Sequence, residues 1–509
     1  MPKTGTPLPL DPIIPKWRAI RKAILIAAVG TSALAAFSQA AHAQTLSDAL
    51  LEAYRTNPTL TAARANQRAI DEGVPLAKAD GRPLSTAGAT YTEQLARTAQ
   101  PVQGTAALVQ TTPARSFTGQ ASISVPLYNG GSIRNAIKAA EARVQAGQSD
   151  LRGTEASVFS RVVGAYMDVI RDSEIVRLNS QNVDTLEVGL KSTSDRYTAG
   201  DVTRTDVAQS QARLDSARAD LERARAQLVN SKENYLALVG SPPGDLAIPP
   251  PLAGLPATPD IAVDMALSDN SDIAAARMAT AAARYDVRSA RGTVMPRVSA
   301  FANGSYTDFL GSEDPRFIPP TTHSAAAGLT ISVPLYQGGR PAAAQRQAIA
   351  RESAAVEQAI AVEREVIAQV RASYASWRST EEAMLSVRSA IRAAELSLQG
   401  VEAENSVGNR TILDVLNARQ ELLNTRVQLI AARRDAYVAA FSLLAATGHA
   451  DARELGLDVP AGYDPAPNYA RVRGKLSDFS FDPEPAPTAS RTVALPAQDT
   501  GPVAARDQQ

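Results

Sequence analysis

Ser124 to Gly131 reads S-V-P-L-Y-N-G-G, and Ser332 to Gly339 reads S-V-P-L-Y-Q-G-G, the same phrase 208 positions apart. An internal repeat outranks local propensity in deciding a fold, because both copies must be read as one kind of unit. Each phrase follows residues that alternate polar and apolar and precedes a long Ala-rich stretch, so each marks a strand handing over to a helix. Pro126 and Pro334 cannot donate to a strand ladder, which suits a strand end. The pairs Gly130-Gly131 and Gly338-Gly339 permit the sharp change of direction that follows.

The repeat continues on both sides of the corner. Downstream, Tyr166, Gly200, Asp206 and Val207 recur at the same spacing as Tyr374, Gly408, Asp414 and Val415. Upstream the spacing is 213, pairing Asn57 with Asn270 and Pro83 with Pro296. The first copy therefore holds five extra residues between Pro83 and Pro126, a length change that belongs in a surface loop.

Before the first corner, Phe117, Gly119, Ala121, Ile123, Val125 and Leu127 alternate with Ser116, Thr118, Gln120, Ser122 and Ser124. Before the second, Ala325, Ala327, Leu329, Ile331, Val333 and Leu335 alternate with Ala326, Gly328, Thr330 and Ser332. A period of two over about ten residues fits a membrane-spanning strand with one lipid face and one wet face; the other reading is a soluble two-stranded ribbon on a helical protein, against which the marginal stability of an isolated hairpin counts. Leu84 to Leu95 and Val298 to Phe309 supply a hairpin partner for each.

The helices are measured by the glycines. Gly131 to Gly200 and Gly339 to Gly408 each span 69 residues, and Gly200 to Gly240 and Gly408 to Gly448 each span 40. At ~1.5 Å per residue these are rods of about 100 Å and about 60 Å. Opening helices of about 34 residues, from Leu46 to Lys78 and from Asp260 to Arg291, add about 50 Å. Each half thus offers one long rod beside two short rods placed end to end. Val158, Val162, Val163, Tyr166, Val169 and Ile170 make a narrow apolar seam among small and polar residues, as coiled-coil packing requires.

Composition excludes several functions. The chain has no cysteine, only His42, His323 and His449, and 52 basic against 52 acidic residues. Thiol chemistry is excluded, Cys or His metal sites are not expected, and no field attracts nucleic acid. No nucleophile elbow or phosphate loop occurs, so no enzyme and no cofactor is expected. Lys16, Arg18, Arg21 and Lys22 precede the apolar run Ala23 to Phe37, and Ala41-His42-Ala43 supplies a small-residue cleavage site. Residues 1–43 therefore read as a signal peptide, 44–260 as the first repeat, 261–448 as the second and 449–509 as an extension, Pro- and Ala-rich and disordered from about 482.

At the turn between long and short rods, Gly200 and Gly408 suit a left-handed C-terminal cap. Thr203-x-x-Asp206 and Thr411-x-x-Asp414 fit capping boxes. A second role for the same carboxylates is to line a constriction in an oligomer. The phrase V-G-N-R-T-I-L-D-V-L-N-A-R-Q-E-L, from Val407 to Leu422, together with the corners and the duplicated plan, resembles the TolC family of outer membrane ducts.

The resemblance implies an α plus membrane β-barrel fold: a homotrimer with a twelve-stranded outer-membrane barrel continued by a periplasmic α-helical barrel. It implies efflux or type I protein secretion, and three kinds of partner: a periplasmic adaptor, an inner-membrane ABC or RND-type transporter and outer membrane lipid. It also implies a gate at the tip, where Arg410 reaches Thr205 and Asp206 and Asp414 joins a carboxylate ring that attracts multivalent cations. Asn405 stands where the family often has an aromatic gate partner, and Asn417 where a second acid can occur, so fewer gate bonds are expected. The competing architecture is a trimeric coiled-coil surface protein such as a stalked adhesin, against which the two-fold repeat and its two strand pairs argue.

Overall fold

The computed structural model describes residues 44–96, 99–101, 109–111, 114–310, 319–457 and 464–499. The proposed signal peptide and the last residues of the extension lie outside the described residues.

The chain opens with α1 (Leu46–Thr56), α2 (Pro58–Asp71) and α3 (Gly73–Ala79), where the sequence suggested one rod. Asn57 causes the first break. Its backbone is extended, Pro58 follows, and its side-chain carbonyl caps α2 by accepting from the amides of Thr59 and Leu60. The second half repeats the break: α6 (Pro259–Asp269) and α7 (Ser271–Gly292) meet at Asn270, which accepts from Asp272 and Ile273.

Four strands form one antiparallel sheet in the order β1 (Leu84–Glu93), β4 (Arg115–Tyr128), β5 (Arg297–Asp308), β6 (Thr321–Ser332). Two short strands, β2 (Ala99–Pro101) and β3 (Val109–Thr111), extend the longer first hairpin. Opposed residues in an antiparallel sheet share a face. Ala121 thus stands with Ala87, Gly304 and Ala325, and Ile123 with Ser85, Ala302 and Ala327, on the predicted apolar face. Tyr91, Phe117 and Tyr306 follow on that face toward the hairpin loops, as an aromatic girdle does. The other face carries hydroxyl pairs, Thr86 with Ser122 at 2.9 Å, Thr118 with Thr307 at 3.1 Å and Ser305 with Ser324 at 2.8 Å.

The two corners differ. Pairing of β4 with β1 stops at Ser124, but its other edge stays paired to β5 through Pro126 to Tyr128 across a bulge, so Pro126 does not end the strand. At the second corner β6 stops at Ser332, before Pro334, and Leu335 and Tyr336 are exposed. The lost length has a plain cause: β4 has a neighbour on both edges and β6 has only β5. The early start of β6 at Thr321 was hidden by its polar opening residues.

After the corners run the long helices α4 (Ser132–Ala199) and α8 (Arg340–Ser406), and after the tips α5 (Arg204–Val239) and α9 (Ile412–Ala446). The end-to-end stacking has a chemical joint. Asn57 Nδ2 donates to the carbonyl of Leu238 in the last turn of α5, and Asn270 Nδ2 donates to that of Ala446 at the end of α9. Each asparagine caps the next rod with one atom and satisfies an orphan carbonyl of the previous rod with another.

The main core runs along α4, whose Val158, Phe159, Val162, Val163 and Tyr166 are buried against α1, α5 and part of α9. Tyr166 and its twin Tyr374 fasten the connecting segments at mid-height. The Tyr166 hydroxyl lies 2.9 Å from the carbonyl of Gln44 and 2.6 Å from that of Ala247, and Tyr374 donates to Ala257. Beyond Ala446, α10 (Pro465–Val472) lies against α2 and α3. The stretch from 482 to 499, expected to be disordered, holds one short 3-10 turn and is tied at its end to Lys232 and Glu233 of α5.

Candidate gate at the helical tips

Both tips are built alike. Gly200 and Gly408 sit at φ 88° and 83°, a conformation that glycine adopts without the clash a Cβ brings. The amide of Asp201 closes the turn on the carbonyl of Arg196, and that of Asn409 on Glu404. Both capping boxes form as the spacing predicts. Thr203 and Asp206 exchange bonds through backbone and side chain, and so do Thr411 and Asp414.

The gate contacts expected from the resemblance are arranged differently within the protomer. Arg410 does not bond Thr205 or Asp206; its Nε donates to Glu404 Oε2 at 2.7 Å across its own turn. Proximity decides this, since Glu404 stands on the same hairpin and Asp206 is already engaged by Thr203. The Glu404 carboxylate raises the already high pKa of Arg410. Asn405, where an aromatic partner was expected, folds back to donate to the carbonyl of Arg410 at 2.7 Å. Within the protomer the hydroxyl and amide of Thr411 hold the pKa of Asp414 below the usual value.

Besides Arg434 of α9, which pairs with Asp168 of α4 at 2.8 Å, the two hairpins share a link nearer the tips that sequence reading missed. Arg213 on α5 donates to Asn417 Oδ1 on α9 at 2.6 Å, so Asn417 is a bonded partner where only a missing acid was expected. Beneath it Leu416 is buried, and Ile412 packs against the same core. The signal was available in the repeat: Arg213 corresponds to Glu421 and Asn417 to Gln209, so neither member of the pair is duplicated.

The hairpins are braced unequally. The pairs Arg218–Glu187 and Arg426–Glu395, at 2.7 and 2.9 Å, are twins in the repeat. The second hairpin adds Arg419–Glu402 and Arg410–Glu404, where the first has Gln211 facing Ser194 and Val202 facing Arg196. Each exposed pair contributes little alone. Among the described residues no group of three or more His, Asp or Glu could hold a metal ion, and no helix is long and apolar enough to cross a membrane.

Residues 49–241 and 262–449 match the family model described as outer membrane efflux protein. The chain belongs to the outer membrane efflux protein family. It is 32% identical to the outer membrane efflux protein BepC of Brucella suis, over 89% of this chain and 96% of that one. It is 25% identical to the outer membrane protein TolC of Escherichia coli, over 94% and 99%. The outer membrane protein VceC of Vibrio cholerae has the same fold, with a TM-score of 0.67 at 23% identity over 79% of this chain and 96% of that one. Membership places the sheet in the outer membrane and the helices in the periplasm. It also makes the chain a channel component of an efflux or secretion route.

Proposed function

We propose that three copies of this chain close a passive duct, a twelve-stranded barrel continued by a helical tunnel, shut at its tips until a periplasmic adaptor and an inner-membrane transporter of ABC or RND type engage it. The observation that carries this reading is the unequal surroundings of two equivalent corners. A Cβ added to Gly130 would lie 2.4 Å from the carbonyl of Gly292, whereas one added to its twin Gly338 would meet nothing within 4 Å. In the same way α4 lies between α7 and the pair α2–α3, while α8 packs on α9, α6 and α7 and has no counterpart of α2–α3 on its other side.

The repeat names what is missing. The counterpart of α7 is α2–α3, so the vacant side of α8 fits α2–α3 of a second copy, and the free edge of β6 fits the free edge of β1. Such a head-to-tail contact closes a ring. Two copies would give eight strands, a barrel filled by its own side chains; three give twelve and leave a lumen.

At the tips, Arg213–Asn417 is the latch between hairpins, Arg410 and Asp414 sit at the entrance, and Thr205 and Asp206 face the next copy. Cargo is selected by the transporter. The test is single-channel conductance in a planar bilayer for wild type, Arg213→Ala and Arg410→Ala with Asp206→Ala. A small, stable conductance that rises in Arg213→Ala supports duct and latch, and a further rise in the double variant supports contacts between copies. An unchanged conductance removes the gate assignment. A folded trimer that conducts in no variant removes the duct and returns the stalked surface protein.

A further inference from the structure

The extension beyond the repeat makes a feature that a duct does not require. Asn468 Nδ2 donates to Asp71 Oδ2 on α2 at 2.7 Å, Tyr469 packs with Val74 on α3, the carbonyl of Arg473 accepts from Lys78, and that of Lys475 accepts from Arg82 at 2.7 Å. The partners advance along both segments in step, so α10 and its continuation run parallel to α3, toward the sheet. Arg82 lies two residues before β1, and at Lys475 the extension is therefore level with the start of the strands.

There the chain turns back. Asp482 returns to Arg471, at 2.9 Å, and to Lys475, at 3.4 Å, so residues 476–481 form a loop whose base is pinned by charge. Its apolar members do not fold inward. Leu476, Phe479 and Phe481 are 77%, 87% and 83% exposed. Three large apolar side chains held outward on a pinned loop are not a water-facing design. Aromatic residues at the level where strands enter a bilayer favour the interface between headgroups and acyl chains.

We propose that the loop 476–481 is a second membrane contact, with Leu476, Phe479 and Phe481 inserted into the periplasmic leaflet of the outer membrane beside the barrel. The occupant is phospholipid, because the loop continues the line of α3 toward the spanning strands. The proposal rests on the barrel reading above.

The test uses the chain freed of its proposed signal peptide, and so of Trp17, with Trp377→Phe and either Phe479→Trp or Phe481→Trp. Each is reconstituted into phosphatidylcholine and phosphatidylglycerol vesicles with bromine on the upper acyl chain. Loss of most tryptophan emission to bromolipid, with little loss to aqueous acrylamide, is the expected result. Quenching by acrylamide alone places the loop in water and overturns the proposal; protection from both quenchers gives the loop to a neighbouring protomer and equally overturns it. Tyr306→Trp in the same background is the control on the lipid face of the sheet. If that tryptophan also escapes bromolipid, the barrel reading has failed; if it is quenched and the loop is not, only the loop proposal has failed. Untouched Trp377, on α8 in the periplasmic rod, sets the unquenched baseline.

Discussion

Asn57 shows how much one side chain carries here. Substitution by Ala removes a helix cap and leaves the Leu238 carbonyl without its donor, together worth about 2 kcal/mol. Asn57→Asp keeps the cap but turns a carboxylate toward that carbonyl, so it should melt below Asn57→Ala in a thermal denaturation series in detergent. Glu155 supplies a pH dependence. Burial pushes its pKa above the ordinary 4.5, although it accepts from the amide of Ala452 at 2.6 Å. A raised folded-state value means that the proton stabilises the fold: the contribution is full below about pH 4.5 and is lost as pH rises through the folded pKa. Glu155→Gln keeps an acceptor for Ala452 without the charge. It should equal or exceed wild type in melting temperature at pH 7 and lose that advantage near pH 4; a variant less stable at pH 7 would refute the burial argument. The sequence announced Asn57 and Asn270 as a matched pair but not their task, because Leu238 and Ala446 enter only through the stacking of distant helices. Arg213 was marked in the repeat only by having no twin, and its partner Asn417 enters through the same stacking.

At the level of elements, the corners, the tip turns and the alternating faces were legible, since each is written in local chemistry and written twice. The interruptions within the opening helices were not read, because an Asn-Pro pair and an Asn-Ser pair blend into an otherwise helical pattern. The ends of β4 and β6 could not be read either: they depend on which neighbour each strand has. The tip glycines give a clean test. A Cβ at Gly200 or Gly408 meets no atom within 4 Å, so replacement by Ala costs only the left-handed backbone strain, about 1–2 kcal/mol. Hydrogen exchange followed by mass spectrometry should show faster exchange in peptides covering residues 196–206 or 404–414, with the sheet unchanged. Faster exchange throughout the rod would mean that the tips hold the long helices together, contrary to the local account.

For the whole molecule, the repeat makes the ring testable by chemistry the chain itself lacks. Ser132 and Ser289 meet at 3.1 Å between α4 and α7, and their counterparts are Arg340 and the exposed Leu76. In a protein with no cysteine, Leu76→Cys with Arg340→Cys should oxidise to covalent dimers and trimers on a denaturing gel, while either single variant stays monomeric. Absence of crosslinks in folded, assembled protein would exclude this ring geometry. The homotrimer was expected from the family resemblance and not from the residues alone, since a seam of the proposed ring leaves its trace only as a vacancy in one copy. That vacancy reaches past architecture. Helix α8 runs for 67 residues, yet its buried side chains are only Val366, Val370 and Ser373. In the proposed ring a newly made chain is half clothed until it meets others, and its survival against periplasmic proteases becomes a race between encounter and degradation. Because the race is won by meeting, lowering synthesis should shorten the life of each molecule as well as reduce their number, a nonlinear dosage that a self-sufficient protein would not have.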